Sequence, residues 1–159
     1  MSRKLLSLLM VVPTVLAGAA LAQGFGTFSG HLSGAGETLG GWTAQPAMCQ
    51  TGKEAPRADI AVRFTFAQPR TPRNPRGGPV FVDIIKSPGN PPSLEVTMSM
   101  EPNAPLHFDD KVCKSLHIAL TPDGESATPV KMLEGAIDAD CALGDEQLHG
   151  HLEFKNCRF

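Results

Sequence analysis

The chain has 159 residues, of which 14 are Lys or Arg and 16 are Asp or Glu, and its formal net charge at pH 7 is −2. A chain of this length fits one ordinary domain with a sizeable core. The small acidic balance gives no sign of the strongly basic character typical of proteins that bind nucleic acid, so we expect no nucleic-acid partner.

The N-terminal residues 1–22 have the organisation of a secretory signal peptide. Arg3 and Lys4 form a positive start, an uncharged apolar run follows over residues 5–16, and small residues then lead to an Ala-x-Ala ending. The apolar run is too short to span a membrane comfortably, and it ends in a cleavage-type sequence. We therefore expect cleavage after residue 22. The mature domain, residues 23–159, is expected to have no transmembrane segment and to be exported to the periplasm or the extracellular space.

Apolar side chains recur at every second position along most of the mature chain, which is typical of antiparallel strands with one face on a core. Clusters of Gly and Pro separate these segments. The alternating segments are residues 28–32, 60–66, 94–100, 116–120 and the two arms of a C-terminal hairpin. Residues 80–85 are more continuously apolar and predict a central strand covered on both sides. About seven short strands predict an all-β, antiparallel β-sandwich, with a small β-barrel as the alternative.

Gly40, Gly41 and Trp42 resemble the Gly-x-Trp element of the lipocalin family. The resemblance covers these three residues. It implies a barrel that carries small apolar ligands, although the chain departs from the family in having no Tyr for the second motif. The other interpretation is that Trp42 is a core residue or a loop anchor.

Residues 132–157 predict a hairpin with a two-residue turn at Gly144-Asp145, because alternating segments flank a dipeptide suited to a primed turn. The turn fixes the register, since the numbers of opposed residues must then sum to 289. The inner face opposes Cys141 to Leu148, Ala139 to Gly150, Ile137 to Leu152 and Gly135 to Phe154. The outer face opposes Asp140 to His149, Asp138 to His151 and Glu134 to Lys155. A slip of one residue would exchange the two faces, so the agreement of turn and pairings favours this register.

The four cysteines, Cys49, Cys113, Cys141 and Cys157, all lie in the predicted mature domain, and an even number in an exported chain predicts two disulfides. The hairpin register places Cys157 about 30 Å from Cys141 and on the opposite face, which excludes a bond between them. Antiparallel packing of the strands next to Cys113 and Cys141 favours that pair, and Cys49–Cys157 follows. The alternation of the strand after Cys113 would turn its side chain away from the inner face that carries Cys141. We therefore expect a bend or bulge next to Cys113.

His149, His151, Asp138 and Asp140 would form a square of two imidazoles and two carboxylates on the outer face of the hairpin. Such groups are ligands for zinc, copper or another divalent first-row metal. The alternative is a pair of cross-strand His–Asp contacts on a solvated sheet, each stabilising by about 0.2–1 kcal/mol. A bound Zn or Cu ion is one hypothesis, and a protein without a cofactor is the other.

The sequence contains none of the common hydrolase or phosphate-binding motifs. His107, Asp109 and Asp110 lie close in sequence to Ser115 and His117, a set that an acid–base enzyme could use. Loop residues of these types are otherwise ordinary turn formers. We expect an exported, non-enzymatic binding or structural domain whose partner is an unknown protein or small molecule. Surface metal binding, a lipocalin-like carrier and an unrecognised hydrolase are the alternatives.

Overall fold

The computed structural model describes residues 26–51, 58–68, 78–98, 105–122 and 132–158, and these form ten β-strands. The predicted signal peptide lies outside the described residues. The strands are β1 (Thr27–Ala35), β2 (Trp42–Ala44), β3 (Met48–Thr51), β4 (Ile60–Gln68), β5 (Gly78–Ile85), β6 (Ser93–Met98), β7 (Leu106–Phe108), β8 (Cys113–Pro122), β9 (Met132–Leu143) and β10 (Glu146–Arg158). Within these ranges there is no helix that could span a membrane.

The strands form two antiparallel sheets packed together. Sheet 1 has the order β2–β1–β10–β9–β8, and sheet 2 has the order β3–β4–β5–β6–β7. Backbone pairing joins the sheets at one described position, where Arg158 of β10 lies parallel to Gln50 of β3. Because the described strands do not close into a ring, the sandwich prediction is confirmed over its barrel alternative.

The seven strands predicted from the sequence are β1, β4, β5, β6, β8, β9 and β10. The alternation in β4 is clear, since its even-numbered residues from Ile60 to Phe66 are at most 3% exposed. β5 is a central strand between β4 and β6, as predicted. The predicted extension of β6 to Met100 lies outside the described residues. The additional strands β2, β3 and β7 have three or four residues, too few to show a period of two.

Aromatic side chains from both sheets meet in the core. Phe64 of sheet 2 meets Phe154 of sheet 1 edge to face, with ring centroids 4.9 Å apart. Trp42 is 5% exposed and its ring centroid lies 5.2 Å from that of Phe66. Trp42 is therefore a core residue, and the fold is not the barrel that the lipocalin resemblance implied.

β9 and β10 form the predicted hairpin. Gly144, at the first position of the turn, has a φ of 65°, which primed turns require there. The predicted pairing is present from the turn as far as Gly135–Phe154. The Phe154 ring covers Gly135, with its Cζ atom 2.7 Å from the place where a Cβ would stand. This aromatic–glycine contact stabilises the sheet in the way expected from the sequence.

A β-bulge ends this register. Between Phe154 and Cys157 the register shifts, and Lys155 and Asn156 together stand opposite Glu134. The predicted pairing of Glu134 with Lys155 is therefore wrong. The predicted outward face of Cys157 is also wrong, because the extra residue reverses the alternation and leaves Cys157 fully buried.

Two disulfides join Cys49 to Cys157, with 5.4 Å between the Cα atoms, and Cys113 to Cys141. This is the pairing expected from the hairpin. The register of β8 against β9 shifts between Cys113 and Ser115. This is the expected bulge, and it turns Cys113 towards Cys141. The first disulfide links the two sheets, and the second links neighbouring strands of sheet 1. Such bonds are typical of proteins that work in an oxidising compartment.

Candidate functional site

The outer face of sheet 1 carries most of the histidines. In β10 the residues Leu148 and Leu152 are buried, so the intervening His149 and His151 point away from the core. The same alternation places the odd-numbered residues of β1, those of β8 from Ser115 onward, and the even-numbered residues of β9 from Glu134 onward on this face. We call the following set the histidine face: His31, His117, His149, His151, Asp138 and Asp140.

Strand register brings these residues into two adjacent rows. In the first row His31 of β1 is opposite His151 of β10, which is opposite Asp138 of β9, and Asp138 is opposite His117 of β8. In the second row His149 is opposite Asp140. Cβ atoms of directly opposed residues are about 4.5–5.5 Å apart, so the side chains in each row are neighbours.

Two glycines allow β1 and β10 to approach closely beside the His31–His151 pair. A Cβ on Gly30 would collide with the carbonyl oxygen of His151, and one on Gly150 would collide with the carbonyl oxygen of His31. Both glycines also have a positive φ, of 80° and 135°. The sequence His149-Gly150-His151 therefore places a glycine where the backbones approach, between two outward imidazoles.

Each of the two histidines in β10 forms a hydrogen bond with a carboxylate of β9. His149 Nδ1 lies 3.0 Å from Asp140 Oδ1, and His151 Nδ1 lies 2.5 Å from Asp138 Oδ1. A carboxylate oxygen accepts a hydrogen bond from Nδ1–H, so in the neutral ring Nε2 carries the free lone pair. The hydrogen bond to Asp138 raises the pKa of His151 above its ordinary value of 6.5, with a smaller contribution from Glu153.

The surroundings of the two Nε2 atoms are polar and open. His149 Nε2 is 3.3 Å from Gln147 Oε1, and His151 Nε2 is 3.6 Å from Glu153 Oε1. The side chains of both histidines are about half exposed, at 44% and 50%. In the part of the chain that the structure describes, no group of three or more His, Cys, Asp or Glu side chains is arranged to hold a metal ion. The four predicted ligands thus share one face as two His–Asp pairs.

Sequence reasoning missed the contribution of His31 and His117 to this face. Both histidines lie between inward-facing residues of alternating segments, so their outward direction was visible in the sequence. Their position beside His151 and Asp138 depends on β1 pairing with β10 and on β8 pairing with β9. The sequence pattern contains no signal for the first of these pairings.

A separate cleft of about 320 Å³ lies between the β5–β6 loop and the segment that follows β7. The polar residues in its walls include Ser87, Ser93, His107, Asp109, Asp110 and Lys111. His107 Nδ1 is 3.7 Å from Glu95 Oε1, and His107 Nε2 is 4.0 Å from Asp109 Oδ2. Both separations exceed the length of a hydrogen bond, so the imidazole lies beside two carboxylates without a close contact to either.

The structure separates the acid–base set suggested by the sequence. His107, Asp109 and Asp110 line the cleft, but Ser115 and His117 do not. Those two residues lie on the outer face of sheet 1, opposite residues of β9. The five residues are therefore divided between two surfaces of the sandwich.

No protein-family model matches this chain, and no curated protein or solved structure is significantly similar to it. A function for this chain must therefore be inferred from its own geometry and chemistry.

Proposed function

We propose that this protein is an exported, non-enzymatic binding domain whose binding surface is the histidine face, and that its ligand is a divalent first-row transition-metal ion, Zn²⁺ or Cu²⁺. The observation that carries the proposal is the position of four of the five histidines on one solvent-exposed face. Export is supported by the signal-peptide pattern of residues 1–22 and by the two disulfides.

Imidazole nitrogen is the protein ligand best suited to both ions. Histidines that bind metals donate their second ring N–H to a carboxylate or carbonyl group, which fixes the tautomer and the direction of the ring. The contacts of His149 with Asp140 and of His151 with Asp138 have this form. On this proposal the carboxylates orient the rings, and the ligands are the Nε2 atoms.

His31 and His151 are the first pair of ligands, because directly opposed residues are close enough for two rings to reach one ion with bonds of about 2.0–2.1 Å. His149 lies two positions along the strand from His151, about 7 Å away, and can supply a third nitrogen only after a change of rotamer that gives up its contact with Asp140. Because the site is open and its ligands must rearrange, we expect micromolar binding with solvent completing the coordination.

The test uses the untagged protein, isolated with both disulfides formed, in calorimetric titrations with Zn²⁺ and Cu²⁺. Binding should occur with one ion per chain and should weaken by about tenfold or more in His31→Ala and His151→Ala, a loss of about 1.4 kcal/mol. His107→Ala is the matched control, because it removes the fifth histidine from a different surface. In NMR spectra, paramagnetic Cu²⁺ should broaden the signals of His31 and His151 before those of His107.

Equal affinity in wild type and His151→Ala would contradict the proposal, as would the absence of binding at submillimolar metal. Asp138→Asn provides a finer test. It keeps a hydrogen-bonding side chain opposite His151 but removes the charge, so metal affinity should fall by less than in His151→Ala.

The cleft at His107 favours a second candidate function, which is binding of a small polar molecule. Its volume is at the lower end of the range of about 300–1,000 Å³ found for ligand pockets. Its walls combine hydrogen-bond donors and acceptors with the apolar side chains of Ile85 and Pro91. An NMR screen of small polar compounds would support this candidate if shifts centred on His107 disappeared in His107→Ala, while Zn²⁺ binding was unchanged.

A further inference from the structure

β8 differs from the other strands at the ends of the two sheets. The end strands β2, β3 and β7 have three, four and three residues, whereas β8 has ten. Natural sheets protect their edges with short strands, proline or several charges. In β8 the one charged residue is Lys114 and the one proline is Pro122, and both lie near its ends. The central part of this edge therefore lacks the usual protection.

β8 is also fixed to β9 along its length in an extended conformation. The Cys113–Cys141 disulfide fixes its beginning to β9, and backbone pairing continues from Ser115–Asp140 to Pro122–Leu133. Among the described strands β8 pairs with β9 alone, so its other edge carries a row of backbone N–H and C=O groups. Because this edge is already ordered, β8 loses little further conformational entropy when it binds another strand.

The inward side chains of β8 extend beyond the core. Leu116, Ile118 and Leu120 are only partly buried, whereas Ile137 and Ala139 of the neighbouring β9 are 0% and 7% exposed. β7, the last strand of sheet 2, lies against β9. Sheet 1 is thus wider than sheet 2 on this side, and β8 carries an apolar row at the margin of the sandwich.

We propose that β8 pairs with β8 of a second copy of the chain, antiparallel and centred on Ile118. In this register Ile118 is opposite its counterpart, and Leu116 is opposite Leu120 of the second copy, so all three apolar residues remain on the inner face. On the outer face His117 is opposite Ala119, and Ser115 is opposite Thr121. The two five-stranded sheets would then form one continuous sheet of ten strands.

The sequence of β8 favours a second copy over an unrelated strand. Leu116 and Leu120 are equally distant from Ile118, so antiparallel self-pairing matches apolar residues with apolar residues. Lys114 is opposite Pro122 of the second copy, so the register brings no like charges into opposition. An interface of one strand per copy is at or below the smallest class of specific interfaces, under about 1,200 Å², and we therefore expect a reversible dimer. The inference does not depend on metal binding.

Sedimentation velocity of the untagged, oxidised protein over a wide concentration range tests the proposal. The weight-average sedimentation coefficient should rise from the monomer to the dimer value. Ile118→Lys places two ammonium groups at the two-fold axis and should weaken dimerisation by at least about tenfold. Thr43→Lys, which adds the same charge on an exposed position of the short edge strand β2, should leave it unchanged.

Because Ile118 is partly buried, a second variant keeps the test decisive if Ile118→Lys does not fold. His117→Lys lies on the solvent face, diagonal to its counterpart in the proposed dimer, and it should also weaken dimerisation. Amide exchange in β8 should slow as the concentration of wild-type protein rises. A monomer at every concentration would overturn the proposal, and so would a dimer that His117→Lys and, if it folds, Ile118→Lys leave intact.

Discussion

Removal of the Cys49–Cys157 disulfide should cost more stability than removal of Cys113–Cys141. The first bond closes a loop of 108 residues and the second a loop of 28. The shorter loop lies inside the longer one, so with the second bond intact the first closes an effective loop of 108 less 28, about 80 residues. The chain-entropy relation then gives about 4.5 kcal/mol for the first bond and about 3.6 kcal/mol for the second.

Burial acts in the same direction. Cys49 and Cys157 are 3% and 0% exposed, whereas Cys113 is only partly buried, so Cys→Ala at the first pair also removes more core contacts. Cys49–Cys157 additionally holds the two sheets together beside their single described backbone pair. We therefore expect a difference of at least about 1 kcal/mol between the two double variants.

Guanidinium unfolding of C49A/C157A and C113A/C141A, followed by the fluorescence of the single Trp42, measures this difference. Trp42 is buried against Phe66, so its emission should change when the core opens. Equal losses in the two variants, or a larger loss in C113A/C141A, would refute the argument from loop length. Wild type under reducing conditions should be less stable than either variant.

Three further predictions concern buried or paired charges. Arg63→Ala should cost about 3–5 kcal/mol of unfolding free energy, because it leaves the Asp83 carboxylate, 2% exposed, without its two guanidinium hydrogen bonds. Glu146→Ala should cost about 3 kcal/mol, since this buried carboxylate accepts two backbone N–H groups of the β1–β2 loop. An NMR titration should give His151 a pKa above 6.5, and Asp138→Asn should lower it. The stabilisation from that pair should be complete below pH 6.5 and disappear as the pH rises through the raised pKa.

The first two of these predictions have matched controls. Arg63→Lys keeps the charge but not the two parallel hydrogen bonds, so it should lie between wild type and Arg63→Ala. Glu146→Gln keeps one acceptor oxygen and should cost less than Glu146→Ala. A loss below about 1 kcal/mol in Arg63→Ala or Glu146→Ala would contradict the role assigned to that residue. If the pKa of His151 is the same in Asp138→Asn as in wild type, the hydrogen bond to Asp138 is not the cause of the raised pKa.

The parts of the fold that follow from the sequence are local. The hairpin register could be predicted because the turn at Gly144 and the alternation on both sides of it specify the same pairing. That register placed His149 beside Asp140 and His151 beside Asp138, as the structure does. It also excluded a Cys141–Cys157 bond on distance, although the supporting argument about opposite faces was wrong.

The parts that could not be predicted depend on contacts between distant segments or on single-residue irregularities. β1 and β10 are separated by more than a hundred residues, and nothing in either segment specifies the other, so His31 was not placed beside His151. The bulge before Cys157 breaks the alternation through one extra residue. Asn156, with a φ of 59°, was its one sequence signal, because Asn adopts this backbone conformation more readily than most residues.

The position of β10 determines when this protein can fold. β10 lies between β1 and β9 and ends beside β3, yet the ribosome makes it after all the other described strands. Until then β1 lacks its principal neighbour, and the native disulfide partner of Cys49 is made only after more than a hundred further residues. The sandwich therefore cannot be completed before β10 is made, its closure requires slow long-range contacts, and a thiol oxidant that acts on Cys49 before Cys157 is present would trap a wrong crosslink.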